Sequence, residues 1–171
     1  MTKVKTINLK GKEYATVPAR LAAFRKDCPY ALIETLPTFM DDQIMFKARI
    51  VKDKRDPDSA EATGHAILEG KGEKVFEKLE TISVGRALAL LGYAASGEIA
   101  SGEEMMEYYE YKEQLKGNEI EEAKSKLDSA KNIDELKTIF MSLKANKFPE
   151  VIKYKDELKT KHADIKPRTE K

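Results

Sequence analysis

The chemistry open to this chain is narrow. Asp41 and Asp42 are adjacent carboxylates between two apolar runs. Oxygen ligands of that kind suit a divalent cation, although a pair of acids in a turn is more often simply solvated. Cys28 and His65 supply a thiol and an imidazole, the makings of a nucleophile and its base. Nothing in their spacing joins them, and a lone cysteine before Pro29 is more often structural. One cysteine with His65 and His162 cannot build a zinc site of the usual kind. Gly70-Lys71-Gly72 lacks the Gly-x-x-x-x-Gly-Lys-Ser/Thr spacing that wraps phosphates. An enzyme has no foothold here, and no cofactor is expected.

Basic side chains carry more. Lys47 and Arg49 alternate along one face of an apolar run, and Lys52, Lys54 and Arg55 continue the charge beyond it. Cations spaced along a strand can track a phosphate backbone, because each neutralised phosphate releases counterions. Their ordinary role would be a solvated sheet face or a lysine-protected edge. Arg86 sits in the apolar run VGRALALLG. The residues three and four positions from it are Ile82, Ser83, Ala89 and Leu90, none acidic. Its partner must come from elsewhere in the fold, as a buried ion pair, or from a ligand.

The 171 residues suit one domain or a core with a small appendage. The sum of 31 basic and 30 acidic side chains hides an uneven layout. Residues 1–55 hold 12 basic and 6 acidic side chains, whereas 101–113 hold Lys112 against Glu103, Glu104, Glu107, Glu110 and Glu113. No apolar run approaches the roughly 18–20 residues of a spanning helix, and the N-terminus has no signal-peptide stretch. A soluble, cytoplasmic protein without membrane contact is expected.

Elements follow from periodicity. Residues 1–13 read as a polar lead-in, and both chain ends look too polar to fold. Val17, Leu21 and Phe24, with Pro18 in the first turn, predict a helix that stops near Asp27, before Cys28-Pro29. Three strands follow: Ala31–Leu36, ending at Pro37; Gln43–Lys52; and Glu61–Glu69. On the second, Ile44, Phe46, Ala48 and Ile50 share one face, and Met45, Lys47, Arg49 and Val51 the other. Small residues Ala62, Gly64 and Ala66 invite a helix to pack closely. Glu73–Leu91 is that helix, striped by Val75, Phe76, Leu79, Ile82 and Leu90, with Gly85 allowing close approach and Gly92 as stop signal.

After a small, flexible 95–102 comes an acidic helix whose Met105, Met106, Tyr108, Tyr109 and Tyr111 suggest an oligomer contact or core. Gly117-Asn118 breaks it. Three short stripes then predict a separate helical unit: Ile120–Ala130; Ile133–Leu143, opened by Asn132; and Glu150–His162. The expected layout is a core at 12–95, a linker with the acidic helix at 96–117, and a helical unit at 118–163.

The segments KEYATVPARLAAFRKDCPYALIETL, IMFKARIV, ATGHAILEG and KVFEKLETISVGRALALLGY, in that order, resemble bacteriophage single-strand annealing proteins of the Erf, Redβ/RecT and Sak types. They are more distantly similar to the eukaryotic Rad fifty-two annealing protein. The carrying motif is ETISVGRALALLG, with Ile82 where that group places Ser. LDSAKNIDELKTIFMSL and KDELKTKH look like the helical tail on many phage recombination proteins.

The resemblance implies an α+β fold: a helix, then a small antiparallel three-stranded sheet packed on a long helix, with a C-terminal helical appendage. It also implies ATP-independent binding and annealing of single-stranded DNA, ring or helical homo-oligomers, and no catalytic residues. A single-strand-binding protein or an exonuclease would be the tail's partner. On that basis Lys47, Arg49, Lys52, Lys54 and Arg55 would form a phosphate track, with Lys74, Lys78 and Arg86 on its opposite wall. Simple sequestration of single strands, or binding to a host factor through the acidic helix or the tail, are the rival expectations.

Overall fold

The computed structural model describes residues 1–41, 43–69, 74–95 and 97–164. Asp42, the Gly70-Lys71-Gly72 turn and the first predicted residue of the long helix, Glu73, lie outside them. The fold is α+β: β1 (Thr6–Leu9), β2 (Lys12–Ala15), α1 (Val17–Asp27), β3 (Leu32–Met40), β4 (Gln43–Val51), β5 (Glu61–Glu69), α2 (Val75–Leu90), α3 (Gly102–Asp128), α4 (Ile133–Ser142) and α5 (Pro149–Asp164). β3, β4 and β5 form an antiparallel sheet in that order. Among the described residues, no helix is long and apolar enough to cross a membrane.

The N-terminal segment corrects the expected lead-in. β1 and β2 pair as an antiparallel hairpin, turned by Lys10 and Gly11 at φ 51° and 85°. Two left-handed residues in a row make the turn whose twist suits adjoining strands. Strands of four residues show too little periodicity to be read locally. Their apolar side chains find partners far along the chain, as where Ile7 lies so close to Gly102 that a Cβ there would stand 2.8 Å from its Cδ1.

β3 is also longer than expected and runs through Pro37, which pairs in register with Phe46. β3 is an edge strand, so the missing N–H of a proline can face outward without breaking the ladder. α1 matches its expected bounds. The Thr16 side chain caps its start by accepting from the Ala19 N–H, Pro18 lies in the first turn, and Cys28 closes it.

The inward face of β4 is Phe46, Ala48 and Ile50, all buried, with Ile44 partly so. Together with Phe24, Ala87, Leu88 and Tyr93 these residues make the main core. Helix α2 crosses β5 where the small residues allow it: a Cβ on Gly64 would lie 2.1 Å from the Ser83 carbonyl oxygen and 2.5 Å from the Ala87 nitrogen. Two residues of the expected α2 stripe do not join the core, since Phe76 is exposed and Leu90 is 57% exposed. Gly92 ends the helix at φ 97°.

The chain divides into two compact units, Met1–Tyr108 and Tyr109–Lys171. α3 continues without interruption through Gly117-Asn118, where the sequence led to the expectation of a break. An interior glycine costs a helix only about 1 kcal/mol, which flanking helix formers such as Leu115, Lys116 and Glu119 offset. The second unit has its own core of Ile120, Ala123, Leu127, Leu136, Leu143, Val151 and Leu158. Asn132 caps α4 by accepting from the Glu135 N–H, as its position predicts.

Residues 98–100, within the stretch 95–102 expected to be loose, are held by a residue the sequence had not marked. Arg20 on α1 is fully buried. Its Nη1 donates to the carbonyls of Gly85 (2.8 Å) and Ile99 (2.7 Å), and its Nη2 to those of Glu98 (3.2 Å) and Ala100 (2.8 Å). Burial lowers the pKa of this guanidinium, and the nearby Glu104 and Glu103 oppose that.

Candidate nucleic-acid interface

Strand pairing fixes what the outward face of the sheet carries. Lys47 lies between Leu36 and His65, Arg49 between Glu34 and Thr63, and Met45 between Thr38 and Ile67. Leu36 is 60% and Ile67 52% exposed. The face is thus a mixture of apolar side chains, one lysine, one imidazole and one arginine cluster.

The eight cations expected to bind DNA fall into two sets. Arg49, Arg55, Lys78 and Arg86 have carboxylate partners. Arg49 Nη2 meets Glu61 at 2.5 Å and its Nη1 reaches Glu34 at 3.6 Å. The Glu61 carboxylate, and to a lesser degree Glu34, raises the Arg49 pKa further. Arg55 pairs with Asp53 at 2.7 Å and lies over the Tyr30 ring, 3.2 Å from its centroid. Lys78 meets Glu107 at 2.5 Å. Arg86 Nη2 meets Glu104 at 2.7 Å, and its Nη1 donates to the His65 carbonyl. Lys47, Lys52, Lys54 and Lys74 have no ion pair among the described residues.

This changes what the acidic helix is for. Glu103 accepts from the Val17 N–H through both carboxylate oxygens, Glu104 binds Arg86 and the Ser101 N–H, and Glu107 binds Lys78. The start of α3 is therefore part of the first unit and neutralises two of the three cations of the expected wall, Lys78 and Arg86, but not Lys74. The missing local partner of Arg86 is Glu104, 18 positions away. The exposed Lys78–Glu107 pair contributes only about 0–1 kcal/mol, so its main effect is on local charge.

Cys28 and His65 have different neighbours. The Cys28 Sγ lies 3.7 Å from the Tyr93 hydroxyl, while His65 stands on the outward face opposite Lys47. Asp41 holds a left-handed turn position at φ 47°, and its neighbour Asp42 lies outside the described residues. Among the described residues no group of three or more His, Cys, Asp or Glu could hold a metal ion.

The loop after β4 is ordered by its own charges. Asp53 accepts from the Arg55 guanidinium and backbone N–H, and these bonds hold its carboxyl down to about 2. A depressed folded value means the contribution is complete above the unfolded carboxylate value of about 3.9 and is lost as pH falls through about 2. Replacing Arg55 with Ala should return the Asp53 titration, followed by NMR, toward about 3.9. A midpoint still near 2 would show that Arg55 does not set it.

No family model, curated protein or solved structure matches the chain.

Proposed function

We propose that this protein binds single-stranded DNA and promotes annealing of complementary strands without a cofactor, as part of phage-type recombination in a bacterial cytoplasm. The observation that carries the proposal is the exposed outward sheet face, where Lys47 stands among Leu36, His65 and Ile67 and has no ion pair among the described residues. Lys52 and Lys54 follow at the end of the same strand. Cations contact phosphates there while apolar side chains meet unstacked bases. The task needs no nucleophile, only a track that leaves pairing edges accessible and subunits that align two strands. On this reading the working form is a ring or helical homo-oligomer. The second unit docks a single-strand-binding protein or an exonuclease.

Changing Lys47 to Gln should weaken binding of labelled oligo(dT) and lower the log–log salt slope by about 0.7, the share of one phosphate contact on a single strand. Changing Arg49 to Gln should lower it by less, because Glu61 and Glu34 already neutralise that guanidinium. A slope indifferent to Lys47 would remove this face from the site. Mixing two complementary oligonucleotides then separates annealing, which the protein would accelerate, from sequestration, which would slow pairing.

A second reading, a non-enzymatic protein that binds another protein, is favoured by the apolar residues at the β3–β4 end of the sheet. Phe39 is 68% exposed, and Met40 and Leu68 are exposed nearby. It requires negligible oligo(dT) affinity at moderate salt.

A further inference from the structure

Three chain segments meet at the end of the first unit where α1 finishes. The Thr2 backbone N–H and hydroxyl both donate to Asp27 at 2.6 Å, and Val4 is buried in the core. Lys3, held between these two anchors, lies beside the last turn of α1, which exposes Arg25 and Lys26. The Lys54 N–H donates to the Tyr30 carbonyl at 3.0 Å, which fastens the loop after β4 to the turn that follows α1.

The carboxylates at this end are largely engaged with one another's surroundings and not with those cations. Asp27 takes the Thr2 donors and the Tyr93 hydroxyl, Asp53 holds Arg55, and Asp56 accepts from the Asp58 N–H. These segments carry Lys3, Arg25, Lys26, Lys52 and Lys54 together with Asp27, Asp56 and Asp58; the N-terminal amine lies near Asp27, and Glu13 lines one hollow with Lys3. None of the five cations has an ion pair among the described residues. The Tyr30 ring among them is 49% exposed, with Arg55 stacked on it.

We infer that this end of the unit is a second contact surface for the phosphate backbone of single-stranded nucleic acid, with Lys3, Arg25 and Lys26 extending the track begun by Lys52 and Lys54. The inference rests on the proposed single-strand binding and says where the strand continues. Unpaired cations on separate segments, interrupted by carboxylates, have no regular spacing. A flexible single strand can adapt its phosphates to such a pattern, whereas a duplex presents a fixed rail. The exposed Tyr30 ring gives a neighbouring base a face or edge to rest against.

The test is fluorescence anisotropy of the full chain with labelled oligo(dT) across a salt series, comparing wild type with a Lys3→Gln, Arg25→Gln, Lys26→Gln triple variant. Losing three phosphate contacts should lower the log–log slope by about 2 at unchanged thermal stability. Should the triple variant fail to fold, Lys26→Gln with Lys54→Gln leaves the Thr2–Asp27 anchor untouched and should lower the slope by about 1.4. Wild-type binding with a slope unchanged in the folded variant overturns this surface and leaves the sheet-face proposal standing. A wild type that ignores oligo(dT) but binds anionic lipid vesicles overturns both.

Discussion

Replacing Gly64 with Ala is expected to destabilise the first unit by about 3 kcal/mol or more, the upper range for overpacking a core. The added methyl would lie 2.1 Å from the Ser83 carbonyl oxygen and 2.5 Å from the Ala87 nitrogen. Both are backbone atoms of α2, so no side-chain rotation relieves the clash, and the helix must lift from the sheet. The main core would open with it, since Ala87 and Leu88 on that helix are fully buried against β4 and α1. Gly85 provides the control. There a Cβ would meet Val17 Cγ2 at 2.5 Å; that buried β-branched side chain yields only at a cost, but the contact is with a side chain and not with backbone, and the gain in helix propensity of about 1 kcal/mol offsets part of it. Thermal denaturation followed by circular dichroism should therefore rank Gly64→Ala well below Gly85→Ala. Equal melting temperatures would mean that β5 and α2 do not approach as closely as described.

Arg20→Met is expected to cost a similar amount, about 3–5 kcal/mol, by the mechanism that makes half of a buried polar network worse than none. Methionine fills much of the space but donates nothing, so the carbonyls of Gly85, Glu98, Ile99 and Ala100 lose their donor. Each unsatisfied buried group costs about 1–3 kcal/mol, less where water can reach it. For a domain of this size, 1 kcal/mol corresponds to about 4–8 °C in melting temperature, so a fall of more than 10 °C should be seen. Hydrogen exchange gives a local readout: amides in 97–101 should lose protection before those of β4. A variant melting within ~2 °C of wild type would show that these four bonds contribute no net stability.

Arg20 also influences local charge. Arg20 fixes the segment that leads into α3, and α3 opens with the glutamates that cap α1 and bind Arg86 and Lys78. If that segment loosens, the acidic helix can release those two cations. The charge that Lys78 and Arg86 present therefore depends on where the start of α3 sits.

Local physics was enough for much of this protein. Alternation along 43–51 and 61–69, the Cys28-Pro29 stop, the run of small residues at 62–66 and the Gly92 terminus each specify an element from neighbours within a few residues. α1, β4, β5 and α2 lie accordingly, and the three apolar stripes of the second unit pack together except at Ile152, which is exposed. The excess of cations in residues 1–55 was legible too, although its location was not. Where the sequence reading failed, the deciding partner was distant or the local signal weak. The β1–β2 hairpin needs Gly102 to receive Ile7, and β3 passes Pro37 because it has an edge position. α3 passes Gly117 because one glycine costs less than the flanking helix formers supply. Whether a cation is available is the clearest case. Glu61 lies 12 positions from Arg49, Glu104 lies 18 from Arg86, and the carbonyls that hold Arg20 lie 65 to 80 positions away. Charge is written in the sequence, but its neutralisation depends on distances of a few ångströms between segments that only the folded chain brings together.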